Sequence, residues 1–165
     1  MNGFTTRRHR RLLRRGTTVV ETALVLPVFL LFVLALIELA HAQMVKNVLR
    51  SACRQAARIG STEGHTTSEI QNHVLDVIGT VVDPEQVEVF VKDASEFDSG
   101  GNPPTDGAAL EAMPNIELSE SAPLQLFMVR AKVHYNDIAI VPNIPFIGDF
   151  LEDVVLEGQA FMRHE

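Results

Sequence analysis

Residues 14–38 read RRGTTVVETALVLPVFLLFVLALIE, and the layout of charge along them decides how the rest of the chain is built. Two arginines and a glycine precede four uncharged residues and Glu21; then come 16 residues without a charge, and Glu38 closes the run. As a helix rising about 1.5 Å per residue, those 16 residues cover roughly 24 Å. Leu39, Ala40 and Ala42 extend the apolar stretch toward the roughly 30 Å of a bilayer's hydrocarbon core. A transmembrane helix over residues 17–42 follows. Glu21 and Glu38 then fall near the two membrane edges, away from the centre, where an acid costs about 2.5–3.5 kcal/mol. Pro27 lies inside the span and removes one helical N–H, which a membrane helix tolerates by re-satisfying the freed carbonyl. A bend about one turn into the bilayer is expected there.

Upstream of this run, six arginines (Arg7, Arg8, Arg10, Arg11, Arg14 and Arg15) lie within the first 15 residues, with no acid among them. The whole chain has 165 residues, 14 Lys and Arg, 21 Asp and Glu, and a formal net charge of −7, so all that follows the basic head is strongly acidic. An acidic body repels phosphate backbones and excludes nucleic acid as its partner. The arginines outnumber Lys46, Arg50, Arg54 and Arg58 beyond the span, which keeps the N-terminus cytoplasmic and puts the body outside the membrane. Cys53 is the one cysteine, so neither an intramolecular disulfide nor a Cys-rich zinc site can form. An intermolecular disulfide through Cys53 stays open.

The junction from Arg14 to Glu21, with Thr22-Ala23-Leu24-Val25-Leu26-Pro27 and the later Ile37-Glu38, resembles the prepilin signal of type IV pilin-like proteins. Within that class it is similar to the TadE family of tight-adherence pilus assembly, over roughly residues 14–58. The resemblance implies that a prepilin peptidase cuts between Gly16 and Thr17 on the cytoplasmic side, leaving Glu21 as fifth residue of the mature chain. It also implies other pilin or pseudopilin subunits and the pilus assembly machinery as partners. Such a cut would remove all six arginines and expose an α-amine on Thr17, whose ordinary pKa of about 7.7–8.0 leaves it largely positive at neutral pH. A carboxylate four residues along, costly if unpaired in a low dielectric, could neutralise that amine on its own chain or on a neighbour. The competing layout is an ordinary secretory signal ending at Ala40-His41-Ala42, but the apolar run exceeds the usual 7–15 residues for such a region.

Past the span the helical pattern continues. Val45, Val48, Leu49, Ala52, Ala56 and Ile59 recur at three- and four-residue spacing, while Lys46, Arg50, Arg54 and Arg58 form a ladder on the opposite side. Gly60 ends this helix, and Thr66-Thr67-Ser68-Glu69 has the spacing of a capping box for a second. Its apolar stripe, Ile70, Val74, Val77, Ile78 and Val81, stops at Asp83-Pro84. Alternating residues around 87–92, 127–135 and 156–163 then predict three strands. The expected fold is α+β and pilin-like: a long N-terminal helix, half transmembrane and half soluble, with a short second helix packed on a small antiparallel sheet of about three strands. By domain this gives a basic leader at 1–16, the transmembrane helix at 17–42 and an extracytoplasmic domain at 43–165.

Two connections carry their own expectations. Residues 94–123, rich in Gly, Pro, Asn, Ser and acid, are expected to hold a flexible loop whose 98–107 core has neither helix nor strand. Asp98, Asn102 and Asp106 within it lack the spacing of an EF-hand calcium loop. Residues 138–151 form an apolar connector that either folds onto the sheet or offers Phe146, Ile147 and Phe150 to a partner or the bilayer. No catalytic motif is present: no G-x-S-x-G, H-E-x-x-H, P-loop or G-x-G-x-x-G. Glu69 and His73 stand at helical spacing without an evident third ligand, so neither metal nor cofactor is expected. The functional expectation is a non-enzymatic minor pilin or pseudopilin, single-pass in the inner membrane, in contact with lipid, and entering the pilus in one version of the reading. A secreted or tethered binding or sensor protein is the alternative, with an anchored hydrolase behind it.

Overall fold

The structure, a computed structural model, describes residues 6–100, 106–140 and 154–165, with side chains from residue 18 onward except Ser99. The chain divides into two compact units, Met1–Leu39 and Ala40–Glu165. Helix α1 runs Thr6–Gly60, with Pro27 inside it and helical backbone at every residue through Gln43. It starts ahead of Thr17, in the segment read as leader. Helix α2, Thr67–Ile78, begins in the expected capping box: Thr66 accepts from the Glu69 N–H, and the Glu69 carboxylate accepts from the Thr66 N–H. It is followed by a 3-10 turn at Pro84–Gln86, capped by Asp83.

Three strands follow: β1 at Glu88–Asp93, β2 at Leu126–His134 and β3 at Val155–Arg163. They form one antiparallel sheet in the order β1-β2-β3, with Val91 opposite Val129 and Ala131 opposite Gly158. The architecture is the expected α+β arrangement. Alternation fixes what faces the core: Val89 and Val91, Phe127, Val129, Ala131 and Val133, and Leu156 all sit in one cluster with α1 and α2. From α1 come Val45, Leu49, Ala52, Cys53 and Ala56, and from α2 come Ile70, Val74 and Ile78. The ladder on the other side of α1 behaves as its spacing predicts, with Arg50, Arg54 and Arg58 exposed and Lys46 half-buried.

The segment expected to be a flexible loop holds regular turns in its described part: a 3-10 turn at Ser95–Ser99, helix α3 at Gly107–Glu111 and a 3-10 turn at Leu118–Glu120. Helix α3 starts inside the 98–107 core that was expected to hold none, because Asp106 caps it by accepting from the Ala108 N–H. Ala94 and Leu110 bury themselves against Met128, with Phe97, Met113 and Leu126 around them. Met128 belongs to the face of β2 that alternation marks as wet, so the sheet is covered on both sides along part of its length. A one-turn helix α4, Tyr135–Ile138, follows β2. Residues Phe146, Ile147 and Phe150 of the apolar connector, and Asn102, lie outside the described residues.

Candidate functional site

The first unit presents apolar surface. Leu24 is 72% exposed, Phe32 60% and Leu39 58%, in a run of large aliphatic and aromatic residues left open from Val19 to Leu39. Soluble chains leave contiguous apolar patches of only a few hundred Å² in water, so this stretch needs lipid or other apolar helices around it. Among the described residues, this is the helix long and apolar enough to cross a membrane. It is a candidate membrane anchor.

Glu21 stands exposed at the head of that surface and makes no ion pair among the described residues. Beside it the Thr22 hydroxyl donates to the Thr18 carbonyl at 2.9 Å, so a polar side chain in an apolar helix is satisfied within its own turn. Gly16 and Thr17 lie within the α1 backbone, and their side chains are outside the described residues. At the far end Glu38 is 2% exposed and is not left without a partner, whereas Ile37 and Leu39 on either side are open. Glu38 points to a different side of the helix from those two neighbours.

In the second unit the far face of the sheet carries a charge network that alternation alone did not reveal. Arg130 is buried, with Nη2 donating to Glu157 Oε2 at 2.5 Å and lying 3.7 Å from Glu111 Oε1. Lys132 donates to Glu111 at 2.9 Å and lies 3.4 Å from Glu88. The Glu111 carboxylate, with a smaller contribution from Glu88, raises the Lys132 pKa above its ordinary value. Arg130 fits because Gly107 lies over it: a Cβ there would come within 2.4 Å of Nη2. Alternation puts Arg130 on the polar face of β2 with Lys132 and His134, and the start of α3 covers that face over Arg130. The acids of this network are committed to cations, so it reads as scaffold and not as acid–base machinery.

The remaining candidates for chemistry are also engaged. Glu69 serves the α2 cap and lies 3.3 Å from His65 Nδ1, away from any pairing with His73. Asp98 pairs with Arg163 at 2.5 Å, and Asp106 caps α3. Among the described residues no group of three His, Cys, Asp or Glu could hold a metal.

Cys53 is fully buried, and its thiol donates to the Gly158 carbonyl at 3.3 Å. Burial pushes the thiol pKa up to about 12, against smaller lowering effects of the Ala131 backbone and Arg54. The thiolate is the nucleophile, so alkylation of the folded chain at pH 8.5 should run roughly a hundredfold or more slower than in denaturant. Equal rates, followed by mass spectrometry, would mean that Cys53 is accessible and free to bridge two chains.

Comparison with known families places one part of this chain. A family model described as TadE-like protein matches residues 16–58, the segment that begins at the Gly16 junction and ends just short of Gly60. It is the family that the junction resembles. No curated protein and no solved structure matches the chain.

Proposed function

We propose, with the TadE-like segment at residues 16–58 as the premise, that the chain is a membrane-anchored minor pilin or pseudopilin acting in the assembly of a Tad pilus. The observation that carries this is an open apolar helix surface headed by the lone carboxylate of Glu21, inside the matched segment. In this reading residues 1–16 are a leader removed by a prepilin peptidase between Gly16 and Thr17. Residues 17–42 cross the inner membrane with the N-terminus cytoplasmic, and residues 43–165 form the extracytoplasmic domain. Glu21 then pairs with the Thr17 amine of an adjacent subunit as the helices gather, because the ion pair removes the cost of two isolated charges in a low dielectric.

Sequencing the N-terminus of the mature protein from its native host tests the processing step. The expected first residue is Thr17, and Gly16→Ala should leave full-length precursor in the membrane. Chains beginning at Gln43 would replace this reading with ordinary secretion. Glu21→Ala should still be processed and inserted, yet fail to restore pilus production in a strain lacking the protein. Normal piliation with that variant would remove Glu21 from assembly.

A further inference from the structure

Eight cations follow the apolar run, and they divide into two sets. Lys92, Arg130, Lys132 and Arg163 each meet an acceptor within their own domain: Asn115 at 2.7 Å, Glu157 at 2.5 Å, Glu111 at 2.9 Å and Asp98 at 2.5 Å. Lys46, Arg50, Arg54 and Arg58 stand at four-residue steps on one face of α1. None of them makes a side-chain hydrogen bond or ion pair among the described residues. The ladder leads into an open groove of about 500 Å³ lined by Gln55, Arg58, Ile59, Thr62, His65 and His73. A row of open guanidinium groups ending in a groove with two imidazoles is a surface suited to carboxylates or phosphates.

Lipid headgroups account for only the lower part of it. Counted along the helix from Ala42, Arg54 and Arg58 lie about 18 and 24 Å further on, at about 1.5 Å per residue. The Debye length at physiological ionic strength is about 8 Å, so charges at that remove feel little of an anionic bilayer. An acidic protein surface has no such limit of reach. This chain supplies one, since residues 43–165 hold 19 Asp and Glu. Of these, Glu88, Glu111, Glu157 and Asp98 are paired with cations, and Glu69 and Glu117 accept from backbone N–H groups at the start of α2. Asp76 on α2 and Asp83 and Glu85 at the 3-10 turn after it are exposed and in no ion pair among the described residues. Asp83 has its turn cap as its one bond, and neither of the other two carboxylates makes any.

We propose that the Arg50–Arg54–Arg58 face of α1 docks on the Asp76, Asp83 and Glu85 surface of a second copy of this chain. Unpaired cations of one copy meet unpaired carboxylates of the next, and the domains contribute a contact of their own beside that of the apolar helices. The proposal takes from the pilin reading only the setting in which copies stand side by side in a membrane.

The test uses two differently tagged full-length chains, co-expressed, extracted in a mild neutral detergent and co-purified. Wild-type copies should co-purify at 0.15 M NaCl and lose most of that association at 1 M, where screening shortens to about 3 Å. Either R54E/R58E or D76K/E85K, each expressed as the only form, should reduce recovery at least tenfold. Mixing the two variants should restore it, because reversed ladder then meets reversed surface. Protection of Cys53 from alkylation in each variant shows that the fold is intact. Undiminished recovery with R54E/R58E overturns the proposal, and so does a loss that mixing does not repair. Association seen only in nanodiscs containing phosphatidylserine, and absent in neutral lipid, would assign the ladder to lipid and overturn it as well. A Gly16→Ala precursor should pair like wild type, so failure of processing and failure of this contact are read separately.

Discussion

Gly158→Val is expected to strip β3 from the domain. A Cβ at Gly158 would lie 2.5 Å from Arg50 N and Leu49 C, and 2.7 Å from Leu49 O. All three are backbone atoms in the middle of α1, so no rotamer change can make room. Either the strand lifts or the helix moves. Lifting β3 also removes the acceptor of the Cys53 thiol and opens the ladder in which Ala131 pairs with Gly158. Overpacking costs about 1–3 kcal/mol where side chains can yield, and two backbones cannot, so the cost here should reach or pass the top of that range. Against a total stability of about 5–15 kcal/mol, this leaves a domain marginally folded at best. Thermal melting of the full chain in detergent, followed by circular dichroism, should show a fall of about 6 °C or more. Gln159→Ala, at the exposed neighbour in β3, should leave the midpoint within about 1–2 °C. An unchanged midpoint for Gly158→Val would mean that β3 does not rest on the helix.

Ala52→Asp should be comparably damaging, and comparison with Arg54→Asp makes the cause visible. Ala52 is wholly buried in the cluster where α1 meets the sheet, whereas Arg54, two residues on, is exposed. An aspartate at 52 would be a carboxylate among Leu49, Cys53 and Ala56 on its own helix face, with no cation to meet it. An uncompensated buried charge costs about 3–5 kcal/mol, while an exposed charge change costs at most about 1 kcal/mol. Urea titration should move the midpoint strongly for Ala52→Asp and slightly for Arg54→Asp. If the two midpoints coincide, the stripe from Val45 to Ile59 does not seat the helix on its domain.

How much of this was readable beforehand depends on the range of the interactions involved. Periods of 3.6 and 2 are local, and they located α1 beyond the membrane run, α2 with its Thr66 and Glu69 box, and three strands whose observed bounds are Glu88–Asp93, Leu126–His134 and Val155–Arg163. The accessible ladder at Arg50, Arg54 and Arg58 follows from the same period, because the apolar stripe on the other side can be covered from one direction only. The charge-free run and its flanking glutamates, which carry the TadE-like reading, are likewise a one-dimensional pattern.

Arg130 shows where that kind of reading stops. Alternation puts it on the face opposite Phe127, Val129 and Ala131, which is correct, and equates that face with solvent, which is not. Whether a face is wet depends on what the chain folds over it, and the cover comes from Ala94, Leu110 and Gly107, about 20 to 36 residues away in a segment with loop composition. The same holds for Gly158. In the sequence it is one member of the alternating set Leu156, Gly158, Ala160 and Met162, and only packing against Leu49 and Arg50, more than 100 residues earlier, shows why a side chain is excluded. The two long helices, the three strands, the phase of α1 and the membrane-length apolar run were therefore determined by the sequence alone, since each rests on neighbours within a few residues. The covered second face, the buried Cys53 and the helix–strand approach at Gly158 were decided by tertiary structure, because each needs atoms from distant segments to occupy the same few ångströms.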